Sequence, residues 1–113
     1  MVNDVPDEMK HVVSILAELG VEVDIATTSD DAVLRLRDGA YNLIISDMRR
    51  GTLADEGLRF LERTRREKIY LPTIFTVGQY QPDRGTPPYA FGITNRVDEL
   101  LNLVFDVLER VRG

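Results

Sequence analysis

Hydrophobic positions along the 113-residue chain switch repeatedly between two spacings. Met9, Val12, Val13, Leu16 and Leu19 fall three and four apart, which predicts an amphipathic helix. Pro6 near its start and Gly20 just past its end are the expected punctuation, and Asp4 is placed to cap it. Val21–Thr27 then alternates with period two, as a strand with one polar face does. Ser29 or Asp30 can cap a short helix through Val33 and Leu36 that ends at Asp38 and Gly39. Tyr41–Ser46 is an apolar run of strand length between turn signals, the pattern of a buried parallel strand. After Asp47 comes a polar loop, then a helix through Leu58, Leu61 and Thr64, then a second buried strand over Leu71–Val77 with Pro72 near its first residues. Gly78–Pro88 holds three prolines and two glycines and reads as loop. Tyr89–Thr94 reads as a short strand, and Val97, Leu100, Leu101, Val104, Val107, Leu108 and Val111 mark the clearest amphipathic helix.

Strands that alternate with helices predict right-handed crossovers and a parallel sheet covered on both faces. The expected fold is thus a three-layer α/β/α, flavodoxin-like arrangement in one domain over residues 1–113, with no internal repeat and no linker. Composition narrows the chemistry. A net charge of −5 disfavours nucleic acid as a partner, because neutralising phosphates needs a basic face. The absence of cysteine removes disulfides, thiolate nucleophiles and Cys-based zinc sites, and one histidine cannot build a multi-His centre. His11 falls beside the apolar stripe of its helix and is expected to face solvent. The Arg- and Glu-rich stretch around Arg59–Lys68 reads as a solvated helix face with mixed pairs. No apolar run reaches membrane-spanning length and the acidic N-terminus is unlike a signal peptide, so a cytoplasmic protein is expected.

Ligands of open α/β sheets bind at the carboxyl ends of the strands. Those ends carry Asp47, Thr76 and the Thr94-Asn95 pair, and Asn3 and Asp4 stand where a strand would deliver them. Carboxylates converging at one edge suit Mg²⁺, which prefers oxygen ligands. A carboxylate beside such a cation can attack a phosphoryl donor. No Gly-rich phosphate loop accompanies these residues, which weakens a nucleotide-binding or flavodoxin-like enzymatic reading.

In these positions the chain resembles a response-regulator receiver domain along nearly its whole length. The match is carried by Asn3-Asp4, by Asp47, by Thr76 followed by Val77-Gly78, and by Phe91. The resemblance implies that Asp47 is the phosphoacceptor, Thr76 the switch hydroxyl and Phe91 the switch aromatic. It also implies Mg²⁺ held by Asp4, Asp47, Asn3 and the backbone carbonyl of Arg49. The expected protein is then no enzyme. It is a stand-alone signalling module of a bacterial two-component pathway, whose partner is a histidine kinase or another signalling protein, with a homodimer as one admissible assembly.

The departures from the family pattern define an alternative. Asn3 replaces one carboxylate of the acidic pair, and Arg49-Arg50-Gly51 replaces the usual Met-Pro. The lysine expected three residues after the aromatic is Thr94, with Asn95 and Arg96 next to it. The fourth helix is expected to be reduced to the Pro-rich loop. Only Met1 and Val2 precede Asn3, so a central strand of the order 2-1-3-4-5 is expected to be missing. Three remedies are open: a chain that starts downstream of its true beginning, neighbours that close the gap, or a strand donated by another chain. The alternative function is a phosphorylation-independent pseudo-receiver that acts as a protein-binding module.

Overall fold

Each change of hydrophobic period produces one regular element. The computed structural model describes residues 1–3, 9–48, 55–77 and 89–112, and of 111 and 112 the backbone alone. Helix α1 (Lys10–Glu18) buries Val12 and Leu16 and leaves His11 exposed, as its apolar spacing requires. Its N-cap is Met9, without a side-chain cap bond; the proposed cap Asp4 lies outside the described residues. Gly20, at φ 84°, ends α1: its N–H reaches the Ala17 carbonyl and the Val21 N–H reaches that of Leu16. This pair of bonds satisfies carbonyls that the helix end would otherwise orphan.

Helix α2 (Ser29–Asp38) begins one residue before the expected caps. Thr28, extended at φ −132°, accepts the Asp31 N–H on its side-chain oxygen at 3.1 Å, so neither Ser29 nor Asp30 is the cap. Helix α3 (Glu56–Arg66) buries Gly57, Phe60, Leu61 and Thr64. Its charged face pairs with α2, Arg63 with Asp30 and Glu67 with Arg37, as a solvated face of mixed charge does. Helix α4 (Val97–Arg112) closes the described chain.

Strands β1 (Ile44–Asp47), β2 (Thr73–Thr76) and β3 (Gly92–Thr94) are the cores of the three predicted C-terminal strands, and they pair in parallel in the order β1-β2-β3. The register is fixed at Ile45↔Ile74 and Phe75↔Ile93. Among the described residues no regular strand precedes β1, as expected, yet its place is not empty. Met1–Asn3 occupy the central position: Val2 bridges Ala26 on one side and Ser46 on the other, both in parallel. The bonds are Val2 N–H to Ile45 O, Asp47 N–H to Val2 O, Asn3 N–H to Ala26 O and Ala26 N–H to Met1 O. Met1–Asn3 thus sit between Ala26 and β1 through isolated bridges, without forming a regular strand. The predicted strand Val21–Thr27 needs correction: it bridges only at Ala26, where it has a partner. Across the sheet the order runs Ala26, Val2, β1, β2, β3.

Alternate sheet residues feed two cores. Ile45 and Ile74 join Val12 and Leu16 of α1 and Leu100, Val104 and Val107 of α4. On the other face, Val2, Ala26 and Ile44 join Ala32 and Val33 of α2 and Phe60 of α3. Helices thus cover both faces, the three layers that the strand–helix alternation predicts. The reduced fourth helix, expected within Gly78–Pro88, falls outside the described residues. No described helix is long and apolar enough to cross a membrane.

Candidate functional site

The parallel register brings the predicted residues to one edge. Asp47 is the last residue of β1 and lies level with Thr76, the last of β2; Thr76 lies level with Thr94, the last of β3. Asn3 follows Val2, which pairs with Ser46, so Asn3 stands beside Asp47 at the end of the adjoining strand. Asn3 is buried, whereas Asp47 and Thr76 are half-buried and open toward solvent at the carboxyl edge. The two remaining metal candidates, Asp4 and the Arg49 carbonyl, lie outside the described residues. Among the described residues no three His, Asp or Glu side chains group as a metal cluster.

Two helix starts complete the rim. The Met48 N–H bonds the Thr76 carbonyl at 3.0 Å and the Gly57 N–H bonds the Met48 carbonyl at 2.8 Å, which ties the segment after Asp47 to β2 and to α3. A Cβ on Gly57 would stand 2.6 Å from the Asp47 carbonyl oxygen, closer than real Cβ contacts come, so only glycine lets α3 approach here. Beside it, the Ser29 hydroxyl donates to Glu56 Oε1 at 3.1 Å and joins the N-terminal turns of α2 and α3 across the mouth of the site. Sequence reasoning missed both roles, Gly57 because a helical glycine carries no pattern, Glu56 because it sits in a run of mixed charge.

The position opposite Thr76 is chemically distinct from the family pattern. Thr94 is buried, its hydroxyl accepts the Arg96 N–H at 3.0 Å, and it turns the chain from β3 into α4. Arg96 is engaged with its own helix start. Its guanidinium forms a two-pronged pair with Asp98 at 2.6 and 3.1 Å in open solvent. The hydrogen bonds from Arg96 hold the Asp98 carboxyl below the usual carboxylate range. Asn95 is exposed. Phe91 lies three residues before Thr94, about 10 Å along a strand. It is half-buried against the α1–α4 core, with the Arg110 guanidinium 5.0 Å from its ring centre. The structure thus brings together Asn3, Asp47, Thr76 and Thr94 and places Phe91 just ahead of β3, at the opposite end from Thr94.

Neither a family model nor any curated protein sequence matches the chain. Solved structures do. The receiver domain of a Francisella response regulator superposes with a TM-score of 0.79 at 18% identity, over 97% of this chain and 94% of that one. A CheY-like response regulator receiver domain protein from Methanospirillum hungatei gives 0.77 at 20%, over 96% and 90%. A response regulator protein from Thermotoga maritima, solved in complex with Mg²⁺-BeF, gives 0.76 at 22%, over 94% of each. The fold of the chain is that of response-regulator receiver domains, a flavodoxin-like α/β fold.

Proposed function

We propose that the chain is a cytoplasmic receiver-like signalling module of a two-component pathway that accepts a phosphoryl group on Asp47. One observation supports this above others: the register sets Asp47 level with Thr76 at the carboxyl edge of the sheet, beside Asn3. In this reading a carboxylate oxygen of Asp47 forms a new O–P bond as the N–P bond of a phosphohistidine donor breaks. The bonding pair returns to the donor's imidazole, and an acyl phosphate results. The Thr76 hydroxyl then donates to a phosphoryl oxygen. Phe91, packed against the α1–α4 core and under Arg110, passes that change to the surface formed by β3 and α4.

The donor set suits Mg²⁺, since the Asp47 carboxylate and the Asn3 amide oxygen are hard ligands at the ends of adjoining strands. Asp4 and the Arg49 carbonyl complete the proposed set. When bound, the cation would neutralise charge on the transferring group. The partner is then a histidine kinase as phosphoryl source. The chain itself is a substrate and switch, with no turnover of its own.

A second reading, a phosphorylation-independent pseudo-receiver, draws on Thr94. The place of a phosphoryl-pairing cation is held by a buried hydroxyl engaged with the backbone, and Arg96, two residues on, is held by Asp98. Incubation with a small phosphoryl donor and Mg²⁺, followed by intact-mass analysis, separates the two. A single phosphoryl adduct that is lost in Asp47→Asn supports the first reading. An unmodified protein that still binds a partner in Asp47→Asn supports the second.

A further inference from the structure

One arginine and two tyrosines build a face at the amino edge of the sheet, across from Asp47. Arg65 lies in the last turn of α3, Tyr70 three residues ahead of β2 and Tyr89 three residues ahead of β3. The register Ile74↔Gly92 makes the two approaching segments neighbours, and the Phe91 N–H donates to the Thr73 carbonyl at 2.8 Å. The Arg65 guanidinium carbon stands 3.6 Å from the centre of the Tyr89 ring and 5.2 Å from that of Tyr70, so one cation is stacked on both rings. Core packing does not account for the rings. Tyr70 is 64% exposed and Tyr89 70%, the two most exposed large apolar side chains among the described residues. The backbone is also held against its preference here. Among the described residues the only non-glycine positions with positive φ are Lys68 at 62° and Tyr89 at 69°. Bulky side chains rarely adopt that conformation, and where they do it commonly serves to present a group to a ligand.

The chemistry of the face identifies its partner. Stacking occupies the flat sides of a guanidinium and leaves the N–H donors at its edge free for a planar acceptor. Arg65 has no hydrogen-bond acceptor or ion pair among the described residues, and the exposed Arg66 and Lys68 have none either. Their neighbours differ: Arg63 pairs with Asp30, and Arg37 with Glu67. Basic residues at a helix carboxyl end complement its dipole, which explains the arginines of that turn but not two exposed rings stacked on one of them. We propose that this face binds an acidic peptide segment of another protein in which an aromatic residue stands among Asp and Glu. One carboxylate lies in the plane of the Arg65 guanidinium and accepts two parallel N–H bonds. Neighbouring carboxylates meet Arg66 and Lys68, and the aromatic residue packs on an open tyrosine face. Tyrosine and arginine are the residue types on which binding energy at protein interfaces concentrates. A nucleic acid fits less well, because three cations stand beside Glu62 and Glu67 on a chain of net charge −5. The face lies at the opposite sheet edge from Asp47, so the proposal stands apart from phosphoryl acceptance there.

The probe is the fluorescein-labelled peptide Glu-Asp-Phe-Glu-Asp-Asp with an amidated end, titrated with the full chain and followed by fluorescence anisotropy. Saturable binding is expected, and the neutral counterpart Gln-Asn-Phe-Gln-Asn-Asn should bind about tenfold more weakly or not at all. Arg65→Lys keeps the charge but loses the fork and the stack, and should weaken binding about tenfold. Tyr89→Gly removes the ring and suits the positive φ, so it should weaken binding about fivefold without lowering the thermal midpoint. Both positions lie outside the core, and circular dichroism should report an unchanged fold. Absence of binding, equal affinity for the neutral peptide, or undiminished binding by either variant would overturn the proposal. Tighter binding of a ten-residue oligothymidylate than of the peptide would overturn it in favour of single-stranded nucleic acid. Self-association in sedimentation that is lost in Arg65→Lys would overturn it in favour of a second copy of the chain.

Discussion

Asp47 depends on what holds the residues next to it. Its carbonyl oxygen stands where a Cβ on Gly57 would fall, 2.6 Å away, and the Met48 Cα would lie 2.8 Å from the same atom. Ala is a better helix former than Gly by about 1 kcal/mol, so propensity alone would favour Gly57→Ala. The clash is with backbone on both sides and cannot be relieved by a rotamer change. We expect Gly57→Ala to lose ~1–3 kcal/mol of stability in urea unfolding. A gain would show that α3 and the end of β1 are not in contact as described. At this scale the sequence was partly legible. Asp47, Thr76 and Thr94 sit at the ends of apolar runs, and the register places all three at one edge. The roles of Gly57 and Glu56 arise from the approach of α3 to β1, a tertiary fact that no local spacing carries.

The elements show why some boundaries could be read and others not. Tyr41–Ser46, Leu71–Val77 and Tyr89–Thr94 each contain a strand because each has a hydrogen-bonded neighbour, and each ladder is confined to the stretch where that neighbour runs alongside. Val21–Thr27 has the same period-two pattern but a ladder partner only at Ala26. Strand formation is decided by pairing as much as by side-chain alternation. Helix ends tell a similar story. Helix α3 finishes as α1 does, with Lys68 N–H on the Arg65 carbonyl and Ile69 N–H on that of Thr64. There, however, the left-handed position at φ 62° is held by Lys68, where α1 uses Gly20. A side chain in that conformation costs about 1 kcal/mol. Lys68→Gly should therefore raise stability by ~1 kcal/mol, read as a higher thermal midpoint; a fall would mean that the lysine side chain makes a compensating contact.

For the whole molecule, the pivot is the first strand. Three residues bridge Ala26 to β1, and the chain's amino group sits at the inner end of the bridge on the Asp24 carbonyl. Burial lowers the pKa of the Met1 ammonium from 8.0 to about 6; the Asp24 charge opposes the shift and that of Arg35 adds to it. Below about pH 6 folded and unfolded chains both carry the proton. Between about 6 and 8 the unfolded chain binds a proton that the folded chain lacks, so stability rises with pH across that window. Urea midpoints at the two ends of the window should show the increase, and N-terminal acetylation should flatten it. A midpoint that falls with rising pH would contradict the buried position of the amine. Layer order and core composition were legible throughout, because helical and strand periods divide the chain cleanly and the two faces of β1 feed two different helix pairs.

The most direct test of the account is calorimetric titration of the chain with beryllofluoride, a phosphoryl mimic, in the presence and absence of Mg²⁺. The account predicts one Mg²⁺-dependent site that disappears in Asp47→Ala and weakens in Thr76→Ala, with the fold of both variants unchanged by circular dichroism. No binding at millimolar Mg²⁺, or binding that survives Asp47→Ala, would contradict phosphoryl acceptance at Asp47.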